Sequence, residues 1–281
     1  VITAKPRVSA IIPTYNYGQY LSRALDSILA QEGRSEQFEI EIIVVDDAST
    51  DATLEVVKRY PQVRYLRLPH RQGVSAARNA GIRASTGAYI AFLDADDTWL
   101  PCKLRVQIPL LVKHPEVGVV YSQSIRREAE EERLFPEASR APSGRVFEAM
   151  LAYNFAVRCA ALLVRREAFD KAGYFDESLI TSEDNDMSLR LAFHFQFLFE
   201  PMAVTIYNIS PNGSWLTRAA TGGAADDYRR VIEKALQMLP DSRRYRKIRA
   251  EAPIRVAMQT ISPWVLVGEL TQARAKLLEA L

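Results

Sequence analysis

In Ala88-Tyr89-Ile90-Ala91-Phe92-Leu93-Asp94-Ala95-Asp96-Asp97, six mostly apolar residues run without a break into three carboxylates. Bounded by Gly87 and Pro101, the run suits a strand covered on both faces, although an apolar run this short also suits buried helix. As a strand it puts the carboxylates at its C-terminal edge, where open α/β sheets bind ligands. In extended backbone Asp94 and Asp96 project to the same side, and two like charges so close are costly unless a cation sits between them. A divalent ion on oxygen ligands, Mg²⁺ or Mn²⁺, is the natural occupant. The plainer alternative is a polar loop in which Asp97 or Thr98 caps the next helix.

The flanking sequence repeats the pattern. A strand over 8–12 stops at Pro13-Thr14-Tyr15-Asn16-Tyr17-Gly18, after which Tyr20, Leu21, Ala24, Leu25, Ile28 and Leu29 recur at helical spacing. A second strand over 40–45 ends in Asp46-Asp47, and Ser49 or Thr50 is expected to cap a helix reaching about 59. A third strand over 63–68 leads through a loop to a helix over about 75–83. This alternation predicts an α/β fold with right-handed crossovers and a largely parallel central sheet flanked by helices, with Asp47 and the Asp94 to Asp97 run on one edge. After Pro101 a helix carries Leu104, Ile108, Leu111 and Val112 on one face, and residues 117–122 return as strand. Residues 126–145, rich in charge and proline, are expected as a solvated loop. Then come a strand over 160–164, a short helix closed by Gly173, a helix after Glu183-Asp184, a late strand over 204–209, and helical patterning from Asp226 onward, broken near Pro240, Pro253 and Pro263.

With 281 residues, 48% of them hydrophobic and 25% charged, the chain can bury a full core. A formal charge of +2 gives no reason to expect a nucleic-acid partner. Two cysteines, Cys102 and Cys159, are too few for a disulfide framework and lack metal-ligand spacing, so a reducing cytoplasm fits best. No window reaches the roughly 18 apolar residues of a bilayer span, and no signal peptide is recognisable.

Several motifs then occur in order: Ser9-Ala10-Ile11-Ile12-Pro13-Thr14-Tyr15-Asn16, Val44-Val45-Asp46-Asp47-Ala48-Ser49-Thr50-Asp51, Gly73-Val74-Ser75-Ala76-Ala77-Arg78-Asn79-Ala80-Gly81, Asp94-Ala95-Asp96-Asp97, Gly173-Tyr174-Phe175-Asp176-Glu177 and Glu183-Asp184. Each is weak alone. Together, from about residue 8 to about 215, they resemble family 2 glycosyltransferases, inverting enzymes of the GT-A fold that use nucleotide sugars. The resemblance implies a GT-A domain over 1–222, with a nucleotide-binding half at 1–115 and an acceptor half at 116–222, and a helical C-terminal extension over 223–281.

By the same resemblance Asp47 accepts a hydrogen bond from a pyrimidine imide, for which an acceptor-only carboxylate is suited. Pro13 and Tyr15 match base-pocket positions, where an aromatic face stacks on a base, against the alternative that Tyr15 is core packing. Arg78 matches a donor-binding arginine whose fork suits a base edge or phosphate oxygens, against a helix-face salt bridge. Asp94 is expected near the donor ribose and the metal, and Asp96 on a Mn²⁺ or Mg²⁺ ion bridging the diphosphate. Asp184 matches the catalytic base, with Glu183 orienting it, and its plainer alternative is a helix N-cap. The partners implied are a UDP- or dTDP-sugar and a saccharide or lipid-linked acceptor, as in cell-surface polysaccharide or glycolipid synthesis. Tyr207-Asn208-Ile209-Ser210-Pro211 lacks the histidine many relatives carry there, which weakens the case for a protein ligand to the diphosphate or metal from that loop.

Three other readings compete. Phe92-Leu93-Asp94-Ala95-Asp96-Asp97-Thr98 also matches the nucleophile motif of haloacid-dehalogenase-like phosphatases, but that motif normally follows a domain's first strand. A Rossmann oxidoreductase lacks its glycine fingerprint. A non-catalytic nucleotide-sugar-binding protein on this fold sits poorly with Asp184 beside Asp94 and Asp96. In the tail, Arg243-Arg244-Tyr245-Arg246-Lys247-Ile248-Arg249 and Ile261-Ser262-Pro263-Trp264-Val265-Leu266-Val267 admit either peripheral contact with the inner face of an anionic membrane or, the favoured alternative, a solvated helix face with Trp264 packed inward.

Overall fold

Along the first strands successive side chains alternate between two buried layers. In β1 (Arg7–Thr14) Val8, Ala10 and Ile12 join a core with Leu21, Leu25 and Ile28 of α1 (Gly18–Leu29), while Ile11 turns to the opposite layer. β2 (Glu39–Asp46) and β4 (Tyr89–Phe92) divide likewise: Ile42, Val44 and Ala91 lie in the α1 layer, and Ile43, Val45, Ile90 and Phe92 in the layer of α3 (Val74–Ala84). Both faces are covered, so each strand must be apolar without interruption. The computed structural model describes residues 5–128, 131–152, 157–208 and 223–252, with 254 and 256.

Through its first half the sheet is parallel, in the order β3-β2-β1-β4 with β3 at Val63–Arg67. Beyond β4 it turns mixed. β8 (Leu162–Arg165) lies antiparallel to both β4 and β6 (Val117–Glu128), β9 (Gln196–Asn208) runs parallel to β6, and the two-residue β5 (Thr98–Trp99) pairs with β9. The β4–β8 pairing makes one sheet of residues on either side of position 115. α4 (Lys103–Lys113) packs on the α1 side, while α5 (Phe147–Leu151), α6 (Ala168–Ala172), α7 (Glu183–His194) and α8 (Gly223–Met238) build the other layer. No helix among the described residues is long and apolar enough to cross a membrane.

Local expectations change in three places. Residues 126–128 and 131–135 are strand rather than loop: β6 runs on to Glu128 and β7 (Glu131–Phe135) pairs antiparallel with it, crossed by an Arg127–Glu132 ion pair of 2.6 Å. Charge that reads as solvated loop here sits on a sheet edge, where cross-strand pairs take the place of a core. The helix expected through 59 shrinks to α2 (Thr53–Val57), and neither Ser49 nor Thr50 caps it. Ser49 Oγ accepts the Asn16 N–H at 2.9 Å and the Thr50 N–H donates to Asn16 Oδ1 at 2.7 Å, so both residues join the loops after β1 and β2. On α4, Val112 is 62% exposed whereas Lys103 is buried, its Nζ donating to Gln107 Oε1 at 2.8 Å and the Leu162 carbonyl at 3.0 Å. Burial lowers that amine to about 7.

α3 approaches β1 closely through Gly81, where an added Cβ would lie 2.4 Å from Ile11 Cγ2. Ile11 is fully buried, so its branched side chain has nowhere to yield. Gly81→Ala should therefore lower the unfolding free energy by about 1–3 kcal/mol. The urea midpoint checks this, and an unchanged midpoint would mean that helix and sheet separate without penalty.

Candidate active site

The C-terminal ends of β1, β2 and β4 meet along one sheet edge. Asp46, the last residue of β2, is fully buried and accepts from Tyr65 Oη at 2.5 Å, Arg67 Nη1 at 2.7 Å and the Ser49 N–H at 2.8 Å. It is a structural carboxylate that the sequence does not separate from its neighbour. Asp47 is also buried, but its oxygens receive the Gln72 N–H at 2.6 Å and the Gly73 N–H at 2.8 Å, which fixes the loop entering α3. A carboxylate oxygen accepts more than one donor, so Asp47 retains acceptor capacity. Pro13 is buried within β1, and Tyr15 just beyond it is half-buried with the Arg71 guanidinium 4.3 Å from its ring centroid. Arg71 went unremarked in the sequence, where a lone arginine in a loop carries no signal.

Arg78 makes ion pairs from α3, but buried and with two partners rather than on an exposed helix face. From α3 its Nη2 donates to Asp94 Oδ1 and its Nη1 to Glu183 Oε1, each at 2.7 Å, while its Nε has no partner. The side chain is 4% exposed against 37% for Asp94 and 13% for Glu183. Burial opposes the arginine's charge, yet Asp94 and Glu183 overcome this and raise its pKa well above the ordinary value. Beneath it the Phe175 ring centroid lies 5.3 Å from the guanidinium carbon and makes an edge contact of 5.3 Å with Phe92. The next residue, Asn79, is buried and exchanges hydrogen bonds with the Phe175 backbone at 2.8 and 2.9 Å. Gly173, at φ 76°, makes the turn that brings this segment back onto α3.

On the other arm of the clamp, Glu183 and Asp184 lie inside the first turn of α7, not ahead of it. Ser182 is the residue at the N-cap of the helix, and Asp184 Oδ1 accepts the adjacent Asn185 N–H at 2.8 Å from within the first turn, so the N-cap alternative does not hold. Burial raises the Glu183 pKa, and the Asp184 charge adds to that while Arg78 works against it.

The acidic loop is held by its backbone. The Asp96 carbonyl accepts Arg23 Nη2 from α1 and Asn208 Nδ2 from β9, both at 2.7 Å, and the Asn208 N–H reaches Asp97 Oδ1 at 2.9 Å. Burial first, then the Asp94 charge, pushes the Asp96 carboxyl up to about 6. The same causes, with Asp96 added, raise the buried Asp97 well above its ordinary range. Arg158 stands nearby with its guanidinium carbon 4.3 Å from the Tyr207 ring centroid and 5.5 Å from that of Phe135, and its charge counters that of Asp97. Nothing in the sequence around Arg158 marks it. Of the residues singled out, Asp94, Arg78, Glu183 and Asp184 are brought together, while Asp47, Pro13 and Tyr15 line the neighbouring part of the edge. Cys159 is buried, and burial pushes its thiol up.

The carboxylates suit a divalent ion of a particular kind. Among the described residues no three His, Cys, Asp or Glu side chains form a metal-holding group. Asp94 and Asp96, strained by mutual repulsion, instead match an ion that takes one or two carboxylates and completes its shell with phosphate oxygens and water.

Removing the clamp leaves two carboxylates facing each other without their cation. Arg78→Met should destabilise the protein by about 3 kcal/mol, the lower end for a broken buried pair because Asp94 is partly solvated. Arg78→Lys should recover little, since one ammonium cannot span two carboxylates. Chemical denaturation of the two variants checks this, and equal stability of Arg78→Lys and wild type would remove the bidentate argument.

The chain is similar to known proteins over most of its length. Residues 9–173 match the model of glycosyl transferase family 2. A succinoglycan biosynthesis protein, ExoO of Rhizobium meliloti, is 31% identical over 288 residues, covering 96% of this chain and 82% of its own. Other relatives match over less of their length, such as an uncharacterised glycosyltransferase of Nostoc, 40% identical over 42% of this chain and 37% of its own. Among solved structures, the Pyrobaculum calidifontis mannosyltransferase PcManGT, in complex with GDP-Man and Mn²⁺, superposes with a TM-score of 0.71 at 20% identity, covering 99% of this chain and 86% of that one. S. aureus TarS in complex with UDP-GlcNAc gives 0.64 at 18% identity over 98% and 89%. The phosphatase alternative lapses, because Asp94 lies two residues past the fourth strand, where the chain turns through Ala95-Asp96 rather than staying extended, and the earlier strands carry the family's other motifs. The chain belongs to glycosyl transferase family 2 and is a glycosyltransferase of the GT-A fold.

Proposed function

We propose that the chain moves one sugar, with inversion, from a UDP- or dTDP-sugar to an acceptor hydroxyl in cell-surface polysaccharide or glycolipid synthesis. The observation that carries this is the double ion pair of Arg78, which brings Asp94 and the Glu183-Asp184 turn to one cleft from positions 16 and 105 residues away in the chain. In this reading Asp47 accepts from the base imide beside Pro13 and Tyr15. Asp94 and Asp96 would hold a Mn²⁺ or Mg²⁺ ion, which when bound offsets the charge gained by the departing nucleoside diphosphate. Arg78 acts through Asp94 and Glu183 rather than on the donor alone. Asp184, with its second oxygen free of the Asn185 bond, takes the acceptor proton as the sugar bond forms, and Glu183 supports it. No protein nucleophile is needed, because inversion is a single displacement. The names of ExoO, of TarS with UDP-GlcNAc and of PcManGT with GDP-Man and Mn²⁺ support a polysaccharide role, a nucleotide-sugar donor and a divalent ion.

Guanine also offers an imide, so the base is the point to test. With Mn²⁺ present, UDP or dTDP should raise the melting temperature more than GDP or ADP, a ligand at 100 times its Kd adding about 2.7 kcal/mol. EDTA should remove most of the gain, Asp96→Asn should lose the metal-dependent part, and Asp184→Asn should keep the shift but lose turnover. Equal stabilisation by ADP without metal would sink both the base and the metal assignments.

The same reading has the enzyme act in the cytoplasm, with contact between its basic tail and the membrane's inner face as the point to test. In the basic segment Arg244 pairs with Glu148 at 2.6 Å, Lys247 with Glu251 at 3.8 Å, and Arg249 donates to the Leu239 carbonyl at 2.9 Å, which favours packing over lipid contact. The apolar run 261–267 lies outside the described residues. Sedimentation with anionic and neutral vesicles decides between the two: packing predicts no binding to anionic vesicles at low salt, whereas salt-sensitive binding lost in Arg243→Glu with Arg246→Glu would establish membrane contact.

A further inference from the structure

We infer that α8 braces the turn that carries Asp184, with Asp227 and Lys234 as positioning residues; the inference rests on the role proposed above for Asp184. From Gly173 to Ser182 the chain has no regular secondary structure, and Ser182 then holds φ 61° immediately before Glu183. A residue with a Cβ enters that left-handed region only when its surroundings impose it.

The surroundings are one face of α8. Asp227 is 1% exposed, and its Oδ2 accepts both the Thr181 N–H and the Thr181 hydroxyl at 3.1 Å. Arg230 donates from Nη2 to Ser178 Oγ at 2.6 Å and from Nη1 to the Ser178 carbonyl at 3.2 Å. Lys234 Nζ sits 2.8 Å from Asp176 Oδ2 and 2.6 Å from Asp186 Oδ1, and Arg190 takes the other Asp186 oxygen at 2.6 Å. Spacings of three and four put positions 227, 230 and 234 on a single stripe of the helix. The stripe grips the segment at 176 and 178, again at 181, and once more at 186, just past Asp184. Arg78 holds Glu183 from the opposite side, so the turn is fixed from two directions. A buried carboxylate that accepts from both the amide and the hydroxyl of Thr181, three residues before the base, serves alignment: a displacement near 1 Å at a reacting group costs about 100-fold in rate.

The test compares full-length wild type with Asp227→Ala, Asp227→Asn, Lys234→Met and Asp184→Asn. One readout is hydrogen–deuterium exchange over peptides spanning 177–187. The other is UDP release with Mn²⁺ from whichever of a panel of UDP-sugars the wild type turns over fastest. Asp227→Ala should speed exchange at Thr181 through Asp184 and lower kcat about 10- to 100-fold, with donor KM held within about twofold. Asp227→Asn, whose carbonyl oxygen still accepts from Thr181, should restore most of both. Lys234→Met should reproduce the kcat loss. Wild-type kcat in Asp227→Ala and Lys234→Met, unchanged exchange over 177–187, or failure of Asp227→Asn to rescue would overturn the brace. Near-normal turnover in Asp184→Asn would instead overturn the base role itself, whereas an inactive Asp184→Asn beside an active Asp227→Ala removes the brace alone.

Discussion

The structure turns on one buried guanidinium. Arg78 holds Asp94 at the end of β4 and Glu183 at the start of α7, so the parallel half of the sheet and the helices that follow β8 share a cation. Taking an arginine out of water is unfavourable unless every charge around it is matched, and here two carboxylates and the face of Phe175 do the matching. The pair therefore fixes geometry more than it adds stability. It draws the segment just past β4 and the first turn of α7 together.

Around that clamp the carboxylates differ by environment, not by type. Asp46 is consumed by Tyr65, Arg67 and Ser49, whereas Asp47 receives one backbone amide on each oxygen and keeps acceptor capacity. Asp96 and Asp97, by contrast, are left with raised affinity for protons because burial and mutual repulsion outweigh the hydrogen bonds they receive. A site in that condition gains from a cation. The backbone around it is held by Arg23 and Asn208, so the loop has little freedom to relieve the repulsion by moving.

Much of the sheet was legible because its strands are covered on both sides, which demands apolar runs that stand out in a sequence. The alternation of those runs with helical periodicity gave the order of elements through β4, and ordered motifs extended the reading to Glu183-Asp184. The edge ribbon of β6 and β7 was not legible, since its Arg127–Glu132 pair resembles a solvated loop in composition. Buried Lys103 escaped notice for a similar reason: its Gln107 and Leu162 partners are what make a buried amine tolerable, and the Leu162 carbonyl comes from a distant strand. Arg158 also carried no signal, because its surroundings are aromatic rings supplied by β7 and β9.

By itself the sequence determined the fold class, the family resemblance and which carboxylates stand at strand ends, because local periodicity and residue chemistry are written along the chain. Only the tertiary structure decided which groups each side chain meets. The position of Arg78 on α3 does not say which carboxylates it meets; the return of the Gly173 turn onto that helix sets Phe175 beneath it, with Glu183 and Asp94 on its two terminal nitrogens. Asp184 could have been an N-cap; the left-handed Ser182 and the hold of Asp227 on Thr181 put it inside the helix instead. Those outcomes depend on contacts between segments tens of residues apart, and no local pattern encodes them.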